Sequence, residues 1–183
     1  MDGSVTLKLD DYLTALGELL KAATGEKKFF RAIVNAPFEN KLASANLSLG
    51  IVVFLLVNKH DQTIDRIALS DTEPAQNAVT ISEKRFEEIK IPLQHKSNSI
   101  TEAIASGKPQ ITADWKYLFI PEMSPQAARF NQANAGIGYS VVYPLQARNG
   151  GALIFSYYQE PTKITAKHWE FMKNYSQLVS SLL

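Results

Sequence analysis

Residues 136–159 read GIGYSVVYPLQARNGGALIFSYYQ, so that two apolar and aromatic runs stand on either side of Asn149-Gly150. An Asn-Gly pair between such runs is the strongest short-range signal of a β-hairpin, because a type I′ turn needs positive φ at both central residues. A two-residue turn at this point predicts three cross-strand pairs, namely Leu145 with Ile154, Tyr143 with Ser156, and Val141 with Tyr158. The fold is therefore expected to be organised around this hairpin.

Both faces of the predicted hairpin are apolar. The face opposite the three pairs holds Val142, Pro144, Leu153, Phe155 and Tyr157. Strands that are apolar on both sides are covered on both sides. Two segments are suited to cover them: the amphipathic helix expected over residues 165–183, and the polar and aromatic stretch that precedes the hairpin. Pro144 cannot donate to a strand ladder, which indicates a bulge or a non-bonded position.

Composition restricts the function more than it identifies it. The 19 basic and 18 acidic residues are interspersed, so nothing favours nucleic acid or an anionic membrane surface as a partner. The chain has no cysteine, which excludes disulfides, zinc–thiolate sites, thiol nucleophiles and thioether-linked chromophores. The longest apolar run, residues 49–57, is far shorter than the roughly 20 residues of a membrane helix and indicates a buried strand. The N-terminus lacks a signal-peptide pattern, so we expect a cytoplasmic protein.

Apolar spacing predicts an amphipathic helix at each end of the chain. In the N-terminal extension, residues 1–25, the stripe consists of Leu9, Leu13, Leu16, Leu20 and Ala23. In the C-terminal helix, residues 165–183, it consists of Phe171, Tyr175, Leu178 and Leu182. These stripes are wider than one sheet face requires, so we expect the two helices to pair with each other and to form a homodimer. The alternative is that both stripes only cover the domain's own sheet.

The apolar pattern of the last helix reaches Leu183 without a cap, and we expect the helix to continue into an output module of a longer parent protein. A second helix is predicted from Glu26, and Pro37 stops or kinks it. Leu42 and Ala45 are candidates to continue that helix beyond the kink. All 183 residues are otherwise expected to form one domain, because no internal repeat or linker is visible.

The middle of the chain alternates short strands, helices and loops. Strands are predicted at residues 50–57, 64–69 and 109–112, a loop is predicted at 70–77, and residues 81–93 fit either a helix or a strand. Asn98 or Ser97 is placed to cap a short helix that ends before Gly107. Another helix is predicted from Ser124, with Pro125 at its first position, inside the long connection 115–134.

Five segments of the second half, in this order, resemble the GAF domain family of small-molecule-sensing modules: residues 98–109, 111–114, 140–145, 150–155 and 164–165 followed by the last helix. They correspond to a short helix with its glycine and following strand, an aspartate that ends that strand, a strand with a Pro-Leu pair, its glycine-started partner, and the closing helix. The resemblance covers the chain from about residue 32 onward.

The resemblance implies an α+β fold. We expect a central antiparallel sheet of about six strands, with the N- and C-terminal helices on one face and with short helices and loops forming a pocket on the other. It also implies a regulatory role in which a small molecule binds and its state is transmitted through the terminal helices of a signalling protein. The alternative is a ligand-free dimerisation or docking module with a degenerate pocket.

No pattern in the sequence indicates catalysis. His60, His95 and His168 lack metal-ligand spacing, and no nucleophile elbow or glycine-rich phosphate loop is present. The adjacent carboxylates of Asp10-Asp11 and Glu87-Glu88 point in different directions and are expected to be solvated. We therefore expect no enzyme, no metal and no identifiable cofactor.

Three activities known in the GAF family are also not expected here. Members that reduce free methionine sulfoxide use cysteines, and members that attach bilins do so through cysteine, so the cysteine-free chain excludes both chemistries. Cyclic-nucleotide binders carry a spaced Asn-Lys, Phe and Asp-Glu signature. Asn58-Lys59 and the segment 86–88 do not reproduce its spacing or its aspartate, so cyclic nucleotide binding is not expected.

The expected ligand pocket lies between the sheet and the connection 115–134. Aromatic rings interleaved with amides suit a mostly apolar site with a few orienting groups. The candidate ligand-binding residues are Trp115, Tyr117, Phe119, Phe130, Asn131, Tyr139 and Tyr143. The competing interpretation is that these aromatic side chains only fill the core and direct their polar ends to water or backbone.

Overall fold

A computed structural model describes residues 9–39, 47–158 and 164–183 of the 183-residue chain. In chain order the elements are α1 (Leu9–Ala22), α2 (Glu26–Glu39), β1 (Leu49–Asn58), β2 (Thr63–Leu69), α3 (Glu73–Thr80), a 3₁₀ turn (Phe86–Glu88), β3 (Lys90–Pro92), α4 (Ser99–Ser106), β4 (Gln110–Thr112), α5 (Lys116–Phe119), α6 (Pro125–Asn134), β5 (Ile137–Leu145), β6 (Gly151–Tyr158) and α7 (Ala166–Leu182). The predicted continuation of α2 through Leu42 and Ala45 lies outside the described residues.

The six strands form one sheet in the order β3-β2-β1-β6-β5-β4. Every neighbouring pair is antiparallel. The predicted α+β architecture with about six antiparallel strands is therefore confirmed. The hairpin strands β5 and β6 lie inside the sheet, as expected for the segment that organises the fold.

Two separate cores lie on the two faces of the sheet. The helix-side core packs the sheet against α1, α2 and α7, and its members include Leu16, Phe54, Phe155, Phe171 and Tyr175. The pocket-side core packs the sheet against α3 to α6, with Val53, Ile64, Trp115, Leu118, Val142 and Ile154 among its members. The terminal helices thus share one face, as predicted.

The turn between β5 and β6 differs from the predicted two-residue turn. The observed cross-strand pairs are Leu145 with Gly151, Tyr143 with Leu153, and Val141 with Phe155. The N–H of Gly150 donates to the carbonyl of Ala147 at 2.9 Å and closes a turn over residues 147–150. Gly150 has a φ of 77°, but Asn149 does not have the positive φ that a type I′ turn needs. The connection is therefore longer, and the predicted register is wrong.

The changed register also changes which residues of β5 share a face of the sheet with which residues of β6. Leu145 pairs with Gly151 instead of Ile154, and a shift by an odd number of residues reverses which side chains share a face. Val142 and Ile154 belong to the pocket-side core, whereas Val141, Tyr143, Leu153, Phe155 and Tyr157 belong to the helix side. The expectation that both faces are covered is confirmed, because Val142 and Phe155 are each 0% exposed.

Pro144 lies within β5, opposite Ala152. The edge strand β4 pairs with β5 only over residues 140–142, so Pro144 lies beyond its end and removes no hydrogen bond from that ladder. The register irregularity of the hairpin lies between Ile137 and Tyr139. Of the two explanations predicted for Pro144, the bulge is therefore wrong.

Local signals located several helices correctly. The side chain of Asn98 accepts a hydrogen bond from the N–H of Ile100 at 2.8 Å, and Gly107 ends α4 with a φ of 65°. Ser124 caps α6, which begins at Pro125. The predicted loop at 70–77 is confirmed for residues 70–72 and wrong from Glu73, where α3 begins. Pro74 occupies the first turn of this helix, where its missing N–H is not needed. Pro37 lies inside α2 and does not end it.

Helices α1 and α7 pack against each other, as predicted. The rings of Tyr12 and Phe171 have centroids 6.0 Å apart, and Gly17 faces the side chain of Leu178. Two residues of the apolar stripe of α7, Phe171 and Tyr175, are fully buried inside the domain. The helical stripes therefore cover the domain's own sheet, whatever further contacts they make.

His168 joins the start of α7 to the segment before β1. Its Nδ1 accepts from the N–H of Thr165 at 3.1 Å, so the neutral ring carries its proton on Nε2, which donates to the carbonyl of Leu47 at 3.0 Å. Burial lowers the pKa of His168, and the bond to Leu47 offsets this only in part. A histidine with a lowered folded-state pKa contributes stability above its unfolded pKa of about 6.5 and loses it as the pH falls.

We therefore expect the free energy of unfolding to fall between pH 7.5 and pH 5 more steeply in the wild-type chain than in His168→Gln. Glutamine retains an acceptor and a donor at this third helical position but does not titrate. Urea unfolding at a series of pH values measures the difference. Parallel pH profiles for the two proteins would contradict the role assigned to His168.

Candidate functional site

A cavity lies on the pocket side of the sheet, beneath α3, α5 and α6. Its floor is built from β1, β2 and β6, through Ile51, Val53, Arg66, Leu69, Ile154 and Ser156. Its wall and roof include Ala78, Ser82, Lys84, Phe86, Trp115, Leu118, Phe119 and Asn131. About 50 Å³ is open to the centres of water-sized molecules. One water needs roughly 10–15 Å³ on the same scale, so the space suits a small molecule of a few heavy atoms.

A chain of hydrogen bonds connects the roof to the floor. The indole N–H of Trp115 donates to the hydroxyl of Ser140 at 2.9 Å, and that hydroxyl lies 2.7 Å from the hydroxyl of Ser156. Both serines are buried on neighbouring strands. Of these three residues, Trp115 and Ser156 line the cavity. The Ser156 hydroxyl therefore offers a polar contact among the apolar side chains of the floor.

Gln132 holds the roof in place. Its side-chain oxygen accepts from the N–H of Trp115 at 2.8 Å, and its amide nitrogen donates to the carbonyl oxygens of Ala113 at 2.9 Å and Ile137 at 3.2 Å. The amide thus joins α6 to the start of α5 and to the start of β5. Because Gln132 is buried, these bonds fix the position of Trp115 over the sheet.

An ion pair on the outside of the roof supports the same arrangement. Two nitrogens of Arg129 donate to one oxygen of Asp114, at 3.0 and 2.9 Å, while the N–H of Lys116 donates to the other carboxylate oxygen at 3.0 Å. Burial alone would raise the pKa of Asp114, but these hydrogen bonds outweigh it and hold the pKa below its usual value. Asp114 therefore stays ionised and links α6 to α5.

Arg66 is the one charged side chain on the floor of the cavity. It is 6% exposed, and its Nη2 donates to the carbonyl of Leu118 at 3.2 Å. The guanidinium lies over the ring of Phe119, 4.4 Å from its centroid, and 5.9 Å from that of Phe86. Its Nε is buried and has no hydrogen-bond partner among the described residues. Burial lowers the pKa of Arg66 to about 10, so the group remains cationic at neutral pH.

The seven candidate residues from the sequence occupy three different environments. Trp115, Phe119 and Asn131 line the cavity. Tyr117 and Phe130 are 41% and 63% exposed. Tyr143 packs against the helix-side core, and Tyr139 pairs with Tyr157 of the same core. The structure thus brings three of the seven together at the cavity and places the other four elsewhere.

α3, the segment 82–89 and β2 contribute residues to the cavity that the sequence did not indicate. Lys84 and Phe86 lie in residues 81–93, whose pattern fits either a helix or a strand, and Ala78 directly follows the predicted loop at 70–77. The signal for Arg66 was present in the sequence, because residues two apart on a strand share a face and Arg66 follows Ile64, which is fully buried. A basic side chain on that face indicates a special environment.

Within residues 9–39, 47–158 and 164–183, no group of three or more histidine, aspartate or glutamate side chains is placed to hold a metal ion. In the same part of the chain no helix combines the length and the apolar character needed to cross a membrane.

No protein-family model matches the sequence, and no curated protein matches it. Solved structures do resemble the fold. The GAF domain of an Acinetobacter phosphoenolpyruvate-protein phosphotransferase aligns with 94% of this chain and 90% of its own, at a TM-score of 0.63 and 8% identity. The phycocyanobilin-bound GAF domain of a cyanobacterial phytochrome aligns with 97% of this chain and 94% of its own, at a TM-score of 0.61 and 15% identity.

The chain therefore has a GAF-type fold, as the sequence resemblance implied. The same fold is also found in fRMsr of Staphylococcus aureus, which aligns with 95% of this chain and 94% of its own, at a TM-score of 0.58 and 12% identity. That protein has also been solved in complex with its substrate. The fold alone thus does not separate a sensory module from an enzyme.

Proposed function

We propose that this chain is a sensory module that binds a small molecule in the cavity between the sheet and the roof formed by α3, α5 and α6. The observation that carries the proposal is a cavity with an apolar lining, a buried guanidinium and a serine hydroxyl on its floor. Sites for small molecules combine an apolar lining with a few polar groups in this way. The phytochrome domain with the same fold binds a bilin, which supports ligand binding at this type of fold.

We further propose that the occupied state reaches the terminal helices through β6. Ile154 and Ser156 line the cavity, while Phe155 between them points to the opposite face. There its ring packs edge-on against Phe171 and Tyr175 of α7, with centroids 5.9 and 6.4 Å apart. Strand β1 also has neighbouring residues on opposite faces of the sheet. Val53 lines the cavity, and the ring of Phe54 packs against Phe30 of α2 with centroids 5.2 Å apart. A ligand that shifts either strand therefore also shifts the helix packing.

The binding role is favoured over catalysis by the chemistry of the cavity. Its polar side chains are Arg66, Ser82, Lys84, Asn131 and Ser156, and this set includes neither a histidine nor a carboxylate that could serve as a general base. We therefore propose a non-enzymatic role in signalling.

The alternative, a ligand-free dimerisation module, draws its support from the heptad-like stripes. Four of the nine stripe side chains are buried, and four of the other five pack on the domain's own core while partly buried. A dimer would therefore have to use the surface that remains exposed, such as Leu19, which is 38% exposed. We regard a homodimer through α1 and α7 as compatible with sensing, and sedimentation equilibrium with and without ligand separates a constitutive dimer from one that binding controls.

A thermal-shift screen tests the sensory proposal. Small amino acids, organic acids, nucleobases and sugars are screened against the wild-type chain, Ala78→Phe and Gln76→Phe. Ala78 lines the cavity, so a phenylalanine there occupies the ligand space, whereas Gln76 is exposed on the same helix and serves as the matched control. A ligand at 100 times its Kd stabilises by about 2.7 kcal/mol, which corresponds to roughly 5–10 °C for a domain of this size.

We expect at least one compound to raise the melting temperature of the wild-type chain and of Gln76→Phe but not of Ala78→Phe. The proposal is contradicted if no compound stabilises the wild-type chain. It is equally contradicted if the effective compounds stabilise Ala78→Phe to the same extent, because binding would then lie outside the cavity.

A further inference from the structure

The guanidinium of Arg66 has more donors than the protein satisfies. An arginine side chain carries five N–H groups. One hydrogen bond from it, to the carbonyl of Leu118, occurs among the described residues, and the buried Nε makes none. Buried polar groups in folded proteins are normally paired, and an unpaired group indicates a function or a partner outside the protein. Arg66 combines this unsatisfied donor with a position on the cavity floor.

The positive charge of Arg66 is also uncompensated. In the part of the chain that the structure describes, no carboxylate lies within 4 Å of the guanidinium. Asp65, the preceding residue in the chain, lies 3.7 Å from the ammonium of Lys90, and Glu122 accepts from Lys84 of the cavity wall at 2.7 Å. A buried charge without a counter-ion is unfavourable, and the rings of Phe119 and Phe86 only partly replace one. The missing partner is therefore an anion.

We propose that the ligand of this cavity is a small organic anion, a short-chain carboxylate whose carboxylate group binds Arg66. The fork of an arginine matches a carboxylate, and two N–H groups of the guanidinium form parallel hydrogen bonds to its two oxygens. The hydroxyl of Ser156 on the same floor is a further donor. The apolar part of the ligand packs against Ile51, Val53 and Ile154. This inference rests on the proposed sensory function and specifies its ligand class.

The space available restricts the ligand further. The open volume of about 50 Å³ accommodates a chain of a few carbons beside the carboxylate. Lys84 at the wall is already paired with Glu122, so one guanidinium is the main unpaired charge that the cavity presents. A single carboxylate satisfies it, whereas a dianion such as a phosphate ester would bring a second charge with no free cation on the lining residues to receive it.

Two-dimensional ¹H–¹⁵N NMR of the whole chain at pH 7 tests the inference with 3-methylbutanoate and its uncharged isostere 3-methylbutanamide. Three resonances report on the site. The Nε–H of Arg66 and the indole N–H of Trp115 lie at the cavity, while the backbone N–H of Arg148, which is exposed in the turn before β6, is an internal control. Acetate, butanoate and hexanoate extend the series and measure the length of the cavity.

We expect 3-methylbutanoate to shift the resonances of Arg66 and Trp115 in a saturable way and to leave that of Arg148 in place. The amide is expected to bind roughly 10- to 100-fold more weakly, because it cannot make charge-assisted hydrogen bonds. Arg66→Met should lose this preference. Arg31→Met removes an exposed arginine from the helix side of the domain and should bind as the wild-type chain does.

Arg66 also holds α5 to the sheet, so Arg66→Met can lower stability on its own. The comparison of the carboxylate with the amide in the wild-type chain does not depend on any variant. Equal binding of the two compounds, or unchanged carboxylate binding by a folded Arg66→Met, overturns the inference. If uncharged compounds bind in the cavity and carboxylates do not, the anion assignment fails while the sensory function stands. If neither these compounds nor those of the thermal-shift screen bind in the cavity, both fail.

Discussion

Phe155→Ala is expected to lower the free energy of unfolding by about 3–5 kcal/mol, a large part of the 5–15 kcal/mol that a domain of this kind has in total. Phe155 is fully buried in the central strand β6. Its ring contacts Phe171 and Tyr175, and those two rings stack on each other with centroids 5.7 Å apart. Removing it leaves a cavity at the point where the sheet meets α7.

The matched control for this substitution is Phe130→Ala. Phe130 is 63% exposed on α6, and its truncation should change the stability by no more than about 0.5 kcal/mol. Equilibrium unfolding in urea measures both variants. Similar losses for the two phenylalanines would mean that the sheet does not pack on α7 in the way described.

Gly151→Ala is expected to cost about 3 kcal/mol, and the cause is a steric clash with the backbone. Gly151 begins β6 beside β1, and a Cβ built there would lie 2.5 Å from the carbonyl oxygen of Leu55. Because that oxygen belongs to a central strand, relief of the contact requires a shift of the backbone, and overpacking of this kind costs about 1–3 kcal/mol or more. Thermal unfolding should show a decrease of roughly 6–12 °C.

Gly17→Ala is the control, and it is expected to leave the stability unchanged or to raise it. Gly17 lies in α1, and its added Cβ would meet the side chain of Leu178 at 3.5 Å, an ordinary contact distance. Alanine is favoured over glycine in a helix by up to about 1 kcal/mol, so this variant should be equally or more stable than the wild type. A stable Gly151→Ala would show that β1 and β6 are not paired at this register.

The sequence was sufficient to predict the arrangement of layers but not the register of the hairpin. Alternating apolar residues around Asn149-Gly150 predicted an interior hairpin, and the stripes of the terminal helices predicted their shared face. The turn itself depended on whether Asn149 adopts positive φ, and this dipeptide permits that conformation without imposing it. Tertiary contacts to β1 decide the outcome, because Gly151 must face the carbonyl of Leu55.

The cavity was predictable in position but only partly in composition. The connection 115–134 does form the roof, and Trp115, Phe119 and Asn131 line the cavity. Tyr143 is on the other face because the true register exchanged the faces of β5. The contribution of α3 could not be foreseen from residues 70–77, whose composition is typical of loops. Arg66 was overlooked because a single arginine in a strand is usually solvated, and its burial follows from the roof above it.

Amide hydrogen–deuterium exchange, with and without the compound that gives the largest thermal shift, tests most directly whether the cavity and the terminal helices form one coupled unit. Binding is predicted to slow exchange in the roof, residues 115–134, and also to change exchange in α7, which has no residue in the cavity. Protection confined to the roof, with α7 unaltered at saturation, would contradict transmission of the bound state through β6.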